Sequence, residues 1–446
     1  MRMTRLSIVL IGLAFSLQAS ATDLLQAYRD ALANDSIYAS ARADLAAGRE
    51  LSVQGRANLL PLIGLSGNHQ RIRRESSPEY TARGYTLSLA QPLIDTAAWQ
   101  TYEQSKLQVA ASETSFAVAG QDLILRVAQA YFDVLAAQDT LTSLRAQKTA
   151  IEEQLAFAKR NFEVGNATIT DTHEAQARYD LATAQELAAQ SDLDIKREAL
   201  IQLTGQPAAT LSVLRKDAVL QTPQPAQMAP WVSNAEQQNF DVLSKQLSLE
   251  IAQRDITRNR AGHYPTVDLV ASRTDTTQRS NIIGQTNSTG LTNSVGVQWQ
   301  IPLYSGFAVT SRVRQAIALE DKARSDLESS RRVAAQAARQ AYFGVTSGLA
   351  QVKALEAAEL SSRSSLESNR IGYRVGVRIN IDVLNAQQQL YVTQRDLAQA
   401  RYNTLLNSLR LKSAAGILQE EDLIQINTLL VPASQTQTQP QTHPQS

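Results

Sequence analysis

The 446-residue chain contains no cysteine. That excludes disulfides, thiolate metal sites, a cysteine nucleophile and an acylated cysteine at a mature N-terminus. Its four histidines, His69, His173, His263 and His443, are scattered and keep no metal-ligand spacing with Asp or Glu. There is neither a glycine-rich phosphate loop nor a nucleophile elbow, so no catalytic residue, cofactor or metal is expected, and any power must come from a partner. The formal net charge is only +1, which argues against nucleic acid as a partner. No stretch supplies the ~20 apolar residues of a transmembrane helix. A membrane crossing would therefore require a closed β-barrel. Proline is missing between Pro92 and Pro207 and again between Pro302 and Pro432. Since proline costs about 3 kcal/mol inside a helix, these gaps permit very long helices.

The first residues have the form of an export signal. Arg2 and Arg5 precede a short apolar run, Ser7 to Leu17, and Ala19-Ser20-Ala21 fits the small-residue cleavage rule. An uncleaved anchor is the alternative. Cleavage after Ala21 would take the formal charge from +1 to −1.

The chain then repeats itself. Tyr131-Phe132 recurs as Tyr342-Phe343, Phe162-Glu163-Val164-Gly165 as Tyr373-Arg374-Val375-Gly376, Asp171 as Asp382 and Gly205 as Gly416. The offset is a constant 211 positions (342 less 131, 416 less 205). A constant offset means no insertions between the copies, so two structurally equivalent halves are expected rather than a short-period solenoid. The organisation expected is a signal at 1–21, a first repeat at 22–205, a linker at 206–230, a second repeat at 231–431 and a disordered tail at 432–446.

Each half contains a long helix and a shorter one. The expected spans are 97–162 and 171–204, then 307–373 and 382–415. Along the first, Leu123, Val127, Ala130, Val134, Ala137, Leu141, Leu144, Ile151, Leu155, Ala158 and Phe162 follow steps of four and three, interrupted at Lys148. The second carries Ala334, Ala338, Ala341, Val345, Gly348, Val352 and Leu355. A 3.5-residue period predicts left-handed supercoiling. Seams this rich in alanine allow close helix approach. A hollow wall and a solid antiparallel coiled coil both fit.

Each half also opens on alternating segments. Ile63 to Asn68, Gly84 to Leu89, Thr266 to Leu269 and Ser294 to Ile301 alternate apolar and polar residues, predicting four strands in two hairpins, about 62–92 and 265–302. Loops are expected at 71–80 and 275–292. Pro61, Pro92, Pro265 and Pro302 are placed at helix–strand junctions. Tyr85, Trp299 and Tyr304 suit either an interfacial girdle or core packing. Four strands cannot close a barrel, and open edges do not survive in lipid, so several copies must share one.

These features together resemble the TolC family of outer-membrane channels. The resemblance rests on Ala130-Tyr131-Phe132-Asp133-Val134-Leu135, Phe162 to Gly165 with Ile169-Thr170-Asp171, Gly372 to Arg378 with Ile381 to Leu384, Ala400 to Asn403, and Gly262 to Leu269. It implies an α+β membrane protein: a homotrimer whose shared transmembrane antiparallel β-barrel, four strands per chain and twelve in all, continues into a periplasmic α-helical barrel. It implies localisation in the outer membrane, in contact with its lipid. It further implies a passive exit duct for type I secretion or drug efflux, recruited by a periplasmic adaptor and an inner-membrane transporter.

The resemblance also points to sites at the helix tips. Val164, Gly165, Val375 and Gly376 would form adaptor-docking tips. Thr170, Asp171, Tyr373 and Arg378 would hold the periplasmic mouth shut. Asp382 and Asn385 would line its constriction, where the family often has two aspartates. One acidic ring rather than two implies a mouth that favours cations but traps divalent ions weakly. The residues themselves also allow plainer roles. Asp171 can open a helix, with Glu174 completing a capping box, and Asp382 can simply favour a helix N-terminus. A periplasmic scaffold without a pore and a dedicated drug-efflux duct are the competing readings.

Overall fold

The computed structural model describes residues 22–74, 77–165, 168–207, 210–215, 217–280 and 288–432. The expected signal, the tail from 433 and part of the second hairpin loop lie outside the described residues. In chain order the elements are α1 (Leu24–Asn34), α2 (Ser36–Ala57), β1 (Leu62–Arg74), β2 (Ser77–Ile94), α3 (Thr96–Glu163), α4 (Ile169–Thr204), β3 (Val213–Leu214), α5 (Met228–Gln238), α6 (Phe240–Arg260), β4 (Thr266–Ser280), β5 (Ser288–Gln300), α7 (Ala308–Arg374), α8 (Asn380–Ala414), α9 (Glu420–Asn427) and β6 (Leu430–Val431).

The helices start where capping side chains satisfy free backbone N–H groups. Asp23 opens α1, Asp35 opens α2, Asp95 opens α3 and Asn239 opens α6. α3 and α7 hold 68 and 67 residues, each ~100 Å of helix. Most of the predicted seam is buried, including Leu123, Val127, Val134, Leu141, Ile151, Leu155, Ala334, Ala338 and Val345. Close approach is visible between α2 and α3, where Gly48 and Gly55 face Ser112 and Ser105 with no room for a Cβ.

The helices do not form a solid bundle within the chain. On one side of the chain's middle the packing order is α4–α3–α8–α7, and on the other it is α2–α3–α6–α7. Each is a curved single-layer ribbon with α7 at one margin and α4 or α2 at the other.

The sheet is equally open, in the antiparallel order β1-β2-β4-β5. Its strands run further than expected: both strands of each pair continue into the segments read as loops at 71–80 and 275–292. Pro92 is a second difference. It lies inside β2, beside a register shift near Ile94, where a missing N–H is tolerated. One face carries Ile63, Leu65, Tyr85, Leu87, Leu89, Val267, Leu269, Ala271, Val295, Val297 and Trp299, and the other Ser66, Asn68, Thr86, Ser88, Ser272, Thr274, Ser294 and Gln298. The apolar patch moves diagonally across the rungs from the first hairpin to the second. Strands tilted ~35–45° to a barrel axis would bring such a patch level with the membrane. Tyr85, Trp299 and Tyr304 are exposed, so core packing does not claim them in this chain.

The linker is pinned by the duplicated Tyr-Phe pair. Tyr131, fully buried, donates to the Ser212 carbonyl at 2.8 Å, and Tyr342 donates to the Ala226 carbonyl. β3 in the linker pairs with β6 near the C-terminus.

Tyr402 stacks on Phe132 and donates to Asp139 at 2.6 Å. Burial pushes the Asp139 carboxyl above its ordinary range, against the lowering effect of that bond. A raised folded-state value means stability fully present below the ordinary carboxylate range and lost as pH rises through the raised one. Because the Tyr402 bond favours the ionised carboxylate against that burial, Tyr402→Phe is expected to cost about 1–3 kcal/mol at neutral pH. Thermal midpoints of mutant and wild type should converge towards pH 4; a pH-independent gap would contradict this.

Candidate functional site at the helix tips

Two turns cap the far end of the ribbon. In the first, Gly165 takes a left-handed φ of 76° and follows the end of α3; in the second, Gly376 takes 79° after α7. In the second turn the Val377 and Arg378 amides both donate to the Gly372 carbonyl, at 2.9 and 3.2 Å. A Cβ at Gly372 would sit 2.7 Å from Cγ of Arg378, so a larger residue there would push the Arg378 side chain aside. Val164 and Val375 project into solvent, joined by Ile169, Val377 and Ile379. Ile169 and Val377 entered the sequence reading only as parts of the family motif and Ile379 not at all, although apolar residues in otherwise polar turns are a usable signal.

The two repeats diverge just after these turns. Thr168 caps α4: its hydroxyl accepts from the Asp171 amide at 3.3 Å, and Asp171 accepts from the Thr168 amide at 3.0 Å. Asp171 is thus the third residue of α4, and its capping-box partner is Thr168 rather than Glu174. The position equivalent to Thr168 is Ile379, which has no side chain able to cap. Asp382, equivalent to Asp171, is left without a cap partner and lies 3.7 Å from Arg378.

Within one chain Arg378 therefore meets Asp382, not Thr170 or Asp171. Thr170 is exposed. Tyr373 turns inward: its ring packs edge-on against Phe157 of α3 at 5.6 Å. Burial, reinforced by the nearby Asp171 charge, pushes its hydroxyl above the usual range.

Two residues that tie the hairpins together were missed in the sequence. Asn380, only 1% exposed, donates to the Asp171 carbonyl at 3.3 Å and accepts from Gln154 of α3. An Asn at a helix start reads as a solvent-facing cap, and nothing local shows that it points inward. Arg178 of α4 donates to Gln388 at 2.7 Å and to Asn385 at 3.2 Å, both on α8. Its equivalent in the second repeat is Gln389, so the duplication gives no hint of it. The arrangement can hold or release one helix hairpin against the other; among the described residues it contains no cluster able to bind a metal.

The outer membrane efflux protein family model matches residues 27–206 and 231–417. The chain is 34% identical to the outer membrane protein TolC of Escherichia coli strain K12 over 443 residues, covering 96% of this chain and 90% of that protein. It is also 34% identical to the alkaline protease secretion protein AprF of Pseudomonas aeruginosa over 441 residues, covering 95% and 91%. The crystal structure of the outer membrane protein VceC of Vibrio cholerae matches with a TM-score of 0.75 at 19% identity, over 88% of this chain and 96% of that one, a likeness of fold.

Proposed function

The chain belongs to the outer membrane efflux protein family, and on that premise we propose that three copies close into one passive duct gated at the helix tips. The protein is an outer-membrane channel, the exit duct of type I secretion and drug efflux. It works in a tripartite system with a periplasmic adaptor and an inner-membrane transporter. The family is one of channels rather than enzymes, and in our reading the chain does no catalysis of its own.

The observation that carries the closure is a broken symmetry between the repeats. In the first, Phe132 of α3 stacks on Tyr402 of α8 at 5.6 Å, in one core cluster with Leu406. At the same offset the second repeat has Phe343 on α7, and its equivalents of Tyr402 and Leu406 are Ser191 and Ile195 on α4. Leu406 is 3% exposed, whereas Phe343 is 58% and Ile195 63% exposed. Ser191 and Ile195 line a shallow hollow with Leu187. The α7 margin of one copy thus fits the α4 margin of the next as α3 fits α8. Burying such apolar pairs contributes ~25 cal/mol per Å². The same step joins β5 of one copy to β1 of the next, so that no sheet edge is left in lipid.

In this reading Tyr373, Asn380, Thr170, Asp171 and Arg378 hold the mouth closed, Asp382 and Asn385 lie at its constriction, and the exposed valines Val164 and Val375, with Gly165 and Gly376, receive the adaptor. The cargo is secreted polypeptide as well as small toxic compounds. Purified protein in planar bilayers is expected to give discrete, small current steps. A strain lacking the chain should lose an exoprotein and gain drug sensitivity; a strain unchanged in both would contradict the duct.

A further inference from the structure

The guanidinium of Arg178 reaches from α4 across to α8, and both its partners there are neutral. It donates to the amide oxygens of Asn385 and Gln388. Among the described residues no carboxylate lies within ion-pair distance of it. Asp382, one turn before Asn385 on the same helix, is already beside Arg378. The exposed stripe of α8 therefore carries one acidic group that is paired and one borrowed cation that is not.

The position of Arg178 follows from the packing order. α3 lies between α4 and α8. Two helices that flank a third can reach one another only on the concave side of the ribbon. When the ribbon closes into a cylinder, the concave side becomes the lumen. The opposite side of α8, with Val383, Leu384, Ala386 and Leu390, is buried against neighbouring helices.

We infer that Arg178 sets the ion selectivity of the periplasmic mouth: it places a positive charge with no ion-pair partner over Asn385 and Gln388, which lowers the barrier to anionic solutes and repels multivalent cations. This rests on the duct reading and reverses the cation preference that Asp382 alone would give. A planar guanidinium suits the place, because its fork reaches two amide oxygens while its charge stays unneutralised. Repeated in each copy around a narrow axis, the charge acts on every permeating ion within a Debye length, about 8 Å at physiological salt.

The test uses the purified full-length assembly in planar bilayers under a potassium chloride gradient, reading the cation-to-anion permeability ratio from the reversal potential. Arg178→Gln is expected to raise that ratio at least ~threefold and to make the current sensitive to block by a trivalent cation. Arg178→Lys, which keeps the charge and loses the fork, should stay near wild type. An unchanged ratio in Arg178→Gln would overturn the inference, and so would Arg178→Lys behaving like Arg178→Gln, since the effect would then come from the hydrogen bonds and not the charge. Wild-type protein that forms no pore would instead overturn the duct reading, and this inference with it.

Discussion

A channel carrying Asn380→Ala and Tyr373→Ala together is expected to spend at least ~tenfold more time in a high-conductance state than wild type. Asn380 is buried and bonded to both helices of the other hairpin, through the Asp171 carbonyl and Gln154. Tyr373 adds the edge-on contact to Phe157. Each bond contributes about 0.5–1.5 kcal/mol net, and an aromatic pair about as much. A loss of ~2–3 kcal/mol per copy exceeds the 1.4 kcal/mol that shifts an equilibrium tenfold. Single-channel recording decides it. Arg378→Ser isolates another contribution. Within its own chain Arg378 has only an exposed contact with Asp382 at 3.7 Å, worth little in water. A large rise in conductance with that variant would therefore report contacts between copies. No rise in either variant would contradict the gate.

Gly416→Ala is expected to cost at least ~3 kcal/mol, enough to remove heat-resistant assemblies from membrane fractions. Gly416 ends α8 at φ 74°, a conformation costing about 1–2 kcal/mol for a residue with a Cβ. Its added Cβ would also fall 2.2 Å from the Gln238 carbonyl oxygen. That oxygen belongs to the last residue of α5, next to Asn239, which donates to the Ala414 carbonyl, so it cannot swing aside. Gly205, the equivalent in the first repeat, is also left-handed, but its neighbour is the Asn34 side chain. A side chain can rotate away, so Gly205→Ala should cost only ~1–2 kcal/mol. The dissociation temperature of the assembly in detergent checks the order: wild type highest, Gly205→Ala next, Gly416→Ala lowest. Equal losses at the two positions would contradict it.

The duplication, the four long helices and the four strands were legible because each leaves a periodic or repeated trace. The strands beyond residue 71 and beyond 275 were not. Where both faces of a strand meet water, as at Arg71 to Arg73 and Thr274 to Gln278, the alternation that marks a strand disappears. The tip residues were legible only in part. The repeat made Asp171 and Asp382 look alike, yet Thr168 caps one helix and Ile379 cannot cap the other, so the two carboxylates have different partners. Asn380 and Arg178 left no trace, since each acts across helices that are far apart in sequence. Choosing between a solid and a hollow coil needed the packing order, which periodicity does not contain.

The absence of cysteine makes the decisive measurement simple. Phe343→Cys and Ser191→Cys introduced together, treated in native membranes with a short thiol-to-thiol cross-linker, test the α7–α4 closure directly. Covalent dimers and trimers, absent from either single variant, are the predicted result. A double variant that stays monomeric, or links only within one chain, would contradict it.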